Sequence, residues 1–239
     1  MKLSELLSEL RQSILRDVSD AVASSSDGAI WTDETLVRYI NDAQNKFATL
    51  TCILRDERTP AITQITLVEG QDQYPLDSRV VAILGARIDR LHLSRTTYGG
   101  LFSNRGDTSP GYATPDRSQP STPRTFYTDR ETGMIGVFPA PDATYAGRTL
   151  QLRVARKPLE PLQYKKLEAV PEIPEDYQLD ILEWAAWRAL RNHDTDGENM
   201  AKASAHKTQF MAAVKELSRQ AKRLLGQDMQ FDVRNNWES

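Results

Sequence analysis

Cysteine is almost missing from this 239-residue chain. The lone Cys52 excludes an intramolecular disulfide and any cage of cysteine zinc ligands. It falls beside Leu50, Ile53 and Leu54 in a predicted helix, where it reads as a small buried apolar side chain. Histidine is nearly as scarce. His92, His193 and His206 are assigned to a strand, a turn and a helix, and no His-x-x-x-His pair links them. His193 with Asp194 and Asp196 reads as a solvated turn, and the Asp/Asn spacing of a calcium loop is missing. Gly133-x-x-Gly136 has no following Lys-Ser/Thr to cradle a phosphate. A Gly-x-Ser-x-Gly nucleophile elbow is lacking too. Glu172, Glu175, Asp176, Asp180 and Glu183 crowd one helix start, where dipole complementation and solvation account for them. The expectation is a protein with no catalytic residues, no metal ligands and no cofactor, and so not an enzyme.

Long apolar runs are also absent. Nothing approaches the roughly 20 residues of a membrane span. Met1 to Leu10 has neither the apolar core nor the cleavage site of a signal peptide. A reducing, aqueous compartment and no membrane partner are expected. Neither sign of charge dominates: 33 acidic and 30 basic residues leave a net charge of -3, so no global basic field draws the chain onto DNA.

What remains is polar globular sequence, 39% hydrophobic and 26% charged, with mean hydropathy -0.54. Leu3, Leu6, Leu7, Leu10, Ile14, Val18 and Val22 recur at helical spacing, ended by the turn formers Ser24 to Gly28. Thr32 suits an N-cap, with Asp33 and Glu34 at the positive end of the helix dipole. Leu36, Ile40, Ala43, Phe47 and Leu50 then carry one stripe to about Leu54. After Pro60, Ile62–Val68, Val80–Leu84, Arg87–Leu93, Phe126–Tyr127, Met134–Phe138 and Leu150–Val154 read as strands, with Tyr74-Pro75 in a turn. Helix returns near Pro174. Tyr177, Ile181, Trp184, Ala185, Arg188 and Ala189 share a side, with Leu182, Ala186 and Leu190 next to them. The last helix spans about Glu198 to Leu225 with Ala201, Ala205, Phe210, Val214, Leu217 and Leu224 on its apolar side.

The predicted fold class is α+β: a helical bundle body built from residues 1–60 and 172–225, with an inserted small, mainly antiparallel β domain at 61–171. An extended C-terminal tail follows at 226–239. Within the insertion, Ser94 to Arg124 is a long aperiodic loop. Such loops tend to be functional or disordered, and this one carries Tyr98, Leu101, Phe102 and Tyr112 as candidate contacts of an arm that orders against a partner. Lys202, Lys207, Lys215, Arg219, Lys222 and Arg223 make a basic stripe on the last helix. That stripe either tracks phosphates or is a solvated face suited to the negative dipole end.

The order of these pieces resembles the head-to-tail adaptor (connector, or head-completion) proteins of tailed bacteriophages, short-tailed ones above all. The resemblance is carried by Trp31-Thr-Asp-Glu-Thr-Leu-Val-Arg-Tyr-Ile-Asn-Asp-Ala-Gln44, Tyr74-Pro75-Leu76, Gly133 to Pro141 and Arg156-Lys-Pro158. Pro171-Glu-Ile-Pro-Glu-Asp-Tyr177 leading into Trp184–Leu190, and Ala201 to Phe210, complete it. It implies a virion protein of the neck, assembled in the host cytoplasm, forming a ring of about twelve copies under the portal. Such a ring extends the channel for double-stranded DNA, without sequence-specific binding, and gives a platform for tail, nozzle or fibre proteins. Adaptors of this kind often carry a C-terminal extension along the portal. Met229, Phe231, Val233 and Trp237 are the docking candidates here, and Lys215, Arg219, Lys222 and Arg223 are candidates for DNA or portal contact. The alternative is a DNA-binding packaging module, or another nucleic-acid-binding module, that uses the basic last helix.

Overall fold

The computed structural model describes residues 1–16, 30–103, 120–193 and 197–225, the last turns beside each gap by backbone alone. In chain order the elements are α1 (Leu3–Glu9), continued by a π-helical turn over Leu10–Leu15, then α2 (Asp33–Thr51), β1 (Arg55–Asp56) and α3 (Pro60–Thr63). Next come β2 (Gln64–Thr66), β3 (Gln73–Pro75), β4 (Val80–Ile88), β5 (Leu91–Arg95) and α4 (Gly100–Ser103). Then follow β6 (Thr125–Tyr127), β7 (Met134–Phe138), β8 (Thr149–Arg156), α5 (Gln178–His193) and α6 (Gly197–Leu225). Two compact units result: Met1–Leu54 with Lys157–Ser239, and Arg55–Arg156.

The expected fold class is corrected. The architecture is a curled, mixed sheet of eight strands accompanied by a few helices, not a helical bundle body with a small antiparallel insertion. Periodicity points to a bundle because every amphipathic stripe needs a cover. It does not reveal that irregular chain supplies part of that cover, nor that short strands far apart in sequence join one sheet.

In the first unit, Phe47 of α2 and Phe210 of α6, both fully buried, meet edge to face at 5.9 Å. Trp184 of α5 packs on Phe210 at 5.0 Å. Helix α2 starts as its sequence dictates, with Thr32 Oγ1 accepting the Thr35 amide at 3.3 Å. It stops at Thr51 because Cys52 turns left-handed, φ 51°. The thiol is buried, but at a helix end and not inside the helix. The N-terminal helix closes at Leu15 with Arg16 at φ 50°, earlier than the periodicity implied; Val18 and Val22 lie outside the described residues. On α6 the buried stripe is Ala203, Phe210 and Val214, while Ala201 and Ala205 face solvent.

An irregular strap, residues 157–174, seals this unit. Its Ala169 and Leu167 carbonyls accept the orphan amides of Leu3 and Ser4 at 2.8 and 3.0 Å. Asn41 on α2 pairs twice with Leu162, donating to its carbonyl at 2.9 Å and accepting its amide at 2.8 Å. Gln178, almost fully buried, donates to the Ile173 carbonyl at 2.9 Å.

In the second unit β8 is central. Leu150, Leu152 and Val154 alternate inward and are fully buried. Strand β8 pairs antiparallel with β4 on one side and with β1 and β2 on the other. Residues 80–88 form one bulged strand, and the hairpin turn falls at Asp89, φ 53°, inside the segment expected to be a second strand. Residues 60–63 are a helical turn where a strand start was expected, and Tyr74-Pro75 lies in β3 instead of a turn. The sheet is mixed because β5 and β6 run parallel, Ser94 opposite Thr125 and Arg95 opposite Phe126. Buried Asp56 locks the β1 end to β8, accepting Arg156 Nε at 2.7 Å, the Arg58 and Thr59 amides and the Thr59 hydroxyl.

Candidate functional site

The long loop leaves β5 through a fastened root. The Tyr98 amide donates to both oxygens of Asp129, at 2.8 and 3.0 Å. Its ring packs against Tyr127 with centroids 5.3 Å apart. Arg130 lies 4.9 Å over the Tyr98 ring and bonds Asp72 at 2.9 Å. Burial, above all, pushes the Tyr127 phenol up in pKa. The adjoining β7 carries Gly136, where a β-carbon would run into the Tyr127 ring. Tyr98 therefore serves the loop root. Leu101 is half-buried in α4, and the Phe102 side chain and Tyr112 lie outside the described residues.

Of the basic stripe, Lys215 and Arg219 are exposed on α6, Arg219 lying 3.5 Å from Glu216 one turn back. Helix α6 continues through Lys222 and Arg223, whose side chains are outside the description, as are Met229, Phe231, Val233 and Trp237. Lys207 departs from the stripe. It sits 5.3 Å over the Trp187 ring on α5.

That contact belongs to a groove which sequence reasoning missed. Trp184 and Trp187 meet at 4.4 Å. Lys46 of α2 lies 5.6 Å over Trp184, and Arg191 lies 5.3 Å over Trp187. Local carboxylates are already committed. Asp42 accepts Trp184 Nε1 at 2.8 Å and faces Arg188 at 3.5 Å, while Glu183 holds His206 Nδ1 at 2.7 Å. Arg188 Nε is buried without a hydrogen bond. Burial lowers the Lys46 pKa, Asp42 counters it, and neighbouring Lys207 lowers it further. Two tryptophans one turn apart were the available signal; Lys46 and Lys207 arrive from other helices.

On the sheet, a shallow depression of about 250 Å³ is lined by residues including Leu84, Arg87, His92, Gln151 and Arg153. Arg87 spans it to Glu57 at 3.3 Å. Among the described residues no His, Cys, Asp and Glu group is placed to hold a metal ion, and no helix is long and apolar enough to cross a membrane.

The family model described as SU10 adaptor protein matches residues 1–232, and the chain belongs to that family. It is thus a bacteriophage adaptor, a structural protein of the virion. A search of curated proteins found no match.

Proposed function

We propose that this adaptor forms a closed ring of about twelve copies in the virion neck, seated under the portal. There it extends the channel for double-stranded DNA and gives tail, nozzle or fibre proteins a platform. The observation that carries this reading is the family match over residues 1–232. In this reading Met229, Phe231, Val233 and Trp237 insert into portal grooves. Each tail gives up roughly 2–5 kcal/mol on ordering, but many engaged together act at high effective concentration, so the joint scarcely dissociates. Tyr98, Leu101, Phe102 and Tyr112 belong to the arm that meets tail, nozzle or neighbour. Lys215, Arg219, Lys222 and Arg223 meet the portal or passing DNA.

The test is imaging of the full-length protein mixed with its cognate portal. A coaxial ring is the expected result, and its absence rejects the reading. Deleting residues 227–239 should abolish docking while the thermal melt stays unchanged; intact docking removes the role given to the tail. If purified protein instead binds DNA with a steep inverse salt dependence and ignores the portal, it is a nucleic-acid-binding module.

A further inference from the structure

Large exposed apolar side chains concentrate on one segment of the helical unit. Among the described residues seven are exposed, and four of them lie between 164 and 179: Tyr164 at 40%, Leu167 at 45%, Val170 at 59% and Leu179 at 52%. Surface clustering of this kind marks interaction sites, whereas scattered single residues do not. Carboxylates alternate with them: Glu168, Glu172, Glu175 and Asp176 are all exposed, although Lys165 and Lys166 begin the segment. The segment is held in place, since its carbonyls accept the Leu3 and Ser4 amides. It therefore presents its apolar and acidic groups on a fixed backbone, which keeps the ordering cost of docking low.

The Trp184–Trp187 groove has the opposite character. Trp187 is its part-exposed ring, Trp184 is buried, and Lys46, Lys207 and Arg191 lie over the two indoles. Its two acids, Asp42 and Glu183, are occupied by Trp184, Arg188 and His206. Burial disfavours the Lys46 charge and repulsion from Lys207 adds to that, against the pull of Asp42. An acidic ligand with apolar side chains would relieve that repulsion and cover the indole.

We infer that the strap of one copy docks in the aromatic, cation-rimmed groove of the next. Leu167, Val170 and Leu179 meet the tryptophan side, and Glu175 and Asp176 meet Lys207 and Arg191. The inference rests on the ring reading above and specifies its joint. Strap and groove are different surfaces of one protomer, so the contact is head-to-tail, the type that closes into rings when the rotation permits. Nucleic acid fits the groove less well. The unit built from residues 1–54 and 157–239 carries more carboxylates than cations and so repels a polyanion. A phosphate backbone would also leave the strap's apolar groups uncovered.

The test uses two full-length variants and sedimentation velocity at low salt. R191E/K207E removes the acceptor, and E175K/D176K removes the donor. All four positions are exposed, and the Glu175–Met1 ammonium pair at 3.4 Å that E175K breaks is a surface pair, so the melts of both variants should stay close to the parent. A second donor variant, L167S/V170S, changes no charge and gives an independent check on the same surface. The parent should self-associate at high concentration, and each variant alone should lose that association. An equimolar mixture of the two charge variants should regain association, because the acidic strap of the first fits the basic groove of the second and the reversed strap of the second fits the reversed groove of the first. Combining all four substitutions in one chain reverses both partners and should restore association. A parent that stays monomeric at the highest soluble concentration, or a mixture of the charge variants that stays monomeric, overturns the inference. So does loss of salt-sensitive DNA retention in R191E/K207E with no association regained in the mixture, which would make the groove a nucleic-acid site. Imaging each variant with the portal separates the two levels. Normal rings from both variants sink this joint but leave the ring standing, and no ring from the parent sinks the ring alone.

Discussion

The ring of Tyr127 occupies the space that a β-carbon on Gly136 would need. The two residues face each other across β6 and β7 in the register Tyr127 opposite Gly136. Tyr127 is buried and already packed against Tyr98, so it cannot swing aside. Gly136→Ala should therefore destabilise the sheet unit by about 1–3 kcal/mol, the usual range for overpacking. Denaturant titration reads this directly. Amide exchange at Tyr98 should accelerate in the same variant, because the displaced ring disturbs the loop root; an unchanged midpoint would show that the ring has room to move.

Acid should weaken the same unit through Asp56. Burial alone would raise the pKa of this carboxyl, but the Thr59 hydroxyl, the Arg58 and Thr59 amides and Arg156 overcome it and hold it well below the usual range. Asp77 is held down to about 2 by the Arg79 side chain and amide. A folded pKa below the unfolded one gives stability that is present above about pH 4 and lost as pH falls through the folded value. The parent should lose stability between about pH 4 and about pH 2. Asp56→Asn should flatten that dependence and lower neutral-pH stability by about 1–3 kcal/mol, since it weakens the charge-assisted hydrogen bonds that Arg156 and the Thr59 hydroxyl make to the carboxylate. A variant with the parent's acid profile would rule the carboxyl out as its source.

Asn41 ties the strap to α2 through two hydrogen bonds to one residue, Leu162. Asn41→Ala should lower stability by about 1–3 kcal/mol, because it leaves a part-buried backbone donor and acceptor without partners. Limited proteolysis should then cut near residues 159–166 faster than in the parent. Equal cleavage rates would show that the Leu3 and Ser4 amides alone retain the strap.

Cation placement around the tryptophans gives a stability prediction distinct from assembly. Burial, with a smaller push from Lys207, disfavours the Lys46 charge more than Asp42 favours it, so Lys46→Met should be neutral or stabilise by up to about 1 kcal/mol, provided its stem packing is kept. A loss above that size in a thermal melt would show that the Lys46 charge is itself stabilising.

Local chemistry was the legible part of this fold. Thr32 announced its helix, the α5 face from Ile181 to Leu190 followed from spacing, and the alternation in β8 marked a half-covered strand. Long-range pairing was not legible. Asp56 and Arg156 are 100 positions apart and Asn41 and Leu162 are 121 apart, and no periodicity connects them. The parallel β5–β6 pair is separated by the long loop, so alternation along each strand could not give its direction. On α6, alanines at 201, 203 and 205 offer nearly equal apolar weight, and only contact with α5 selects Ala203. The groove stayed hidden for the same reason: its cations come from three helices.

The discontinuous first unit has a consequence for biosynthesis. Phe47 leaves the ribosome long before Phe210, the ring it packs against, so α1 and α2 must wait, greasy side out, while the chain is completed. The sheet unit is contiguous from Arg55 to Arg156 and has every strand in hand earlier. Nascent chains released early should thus present finished sheets beside unsatisfied helices, the species on which chaperones act.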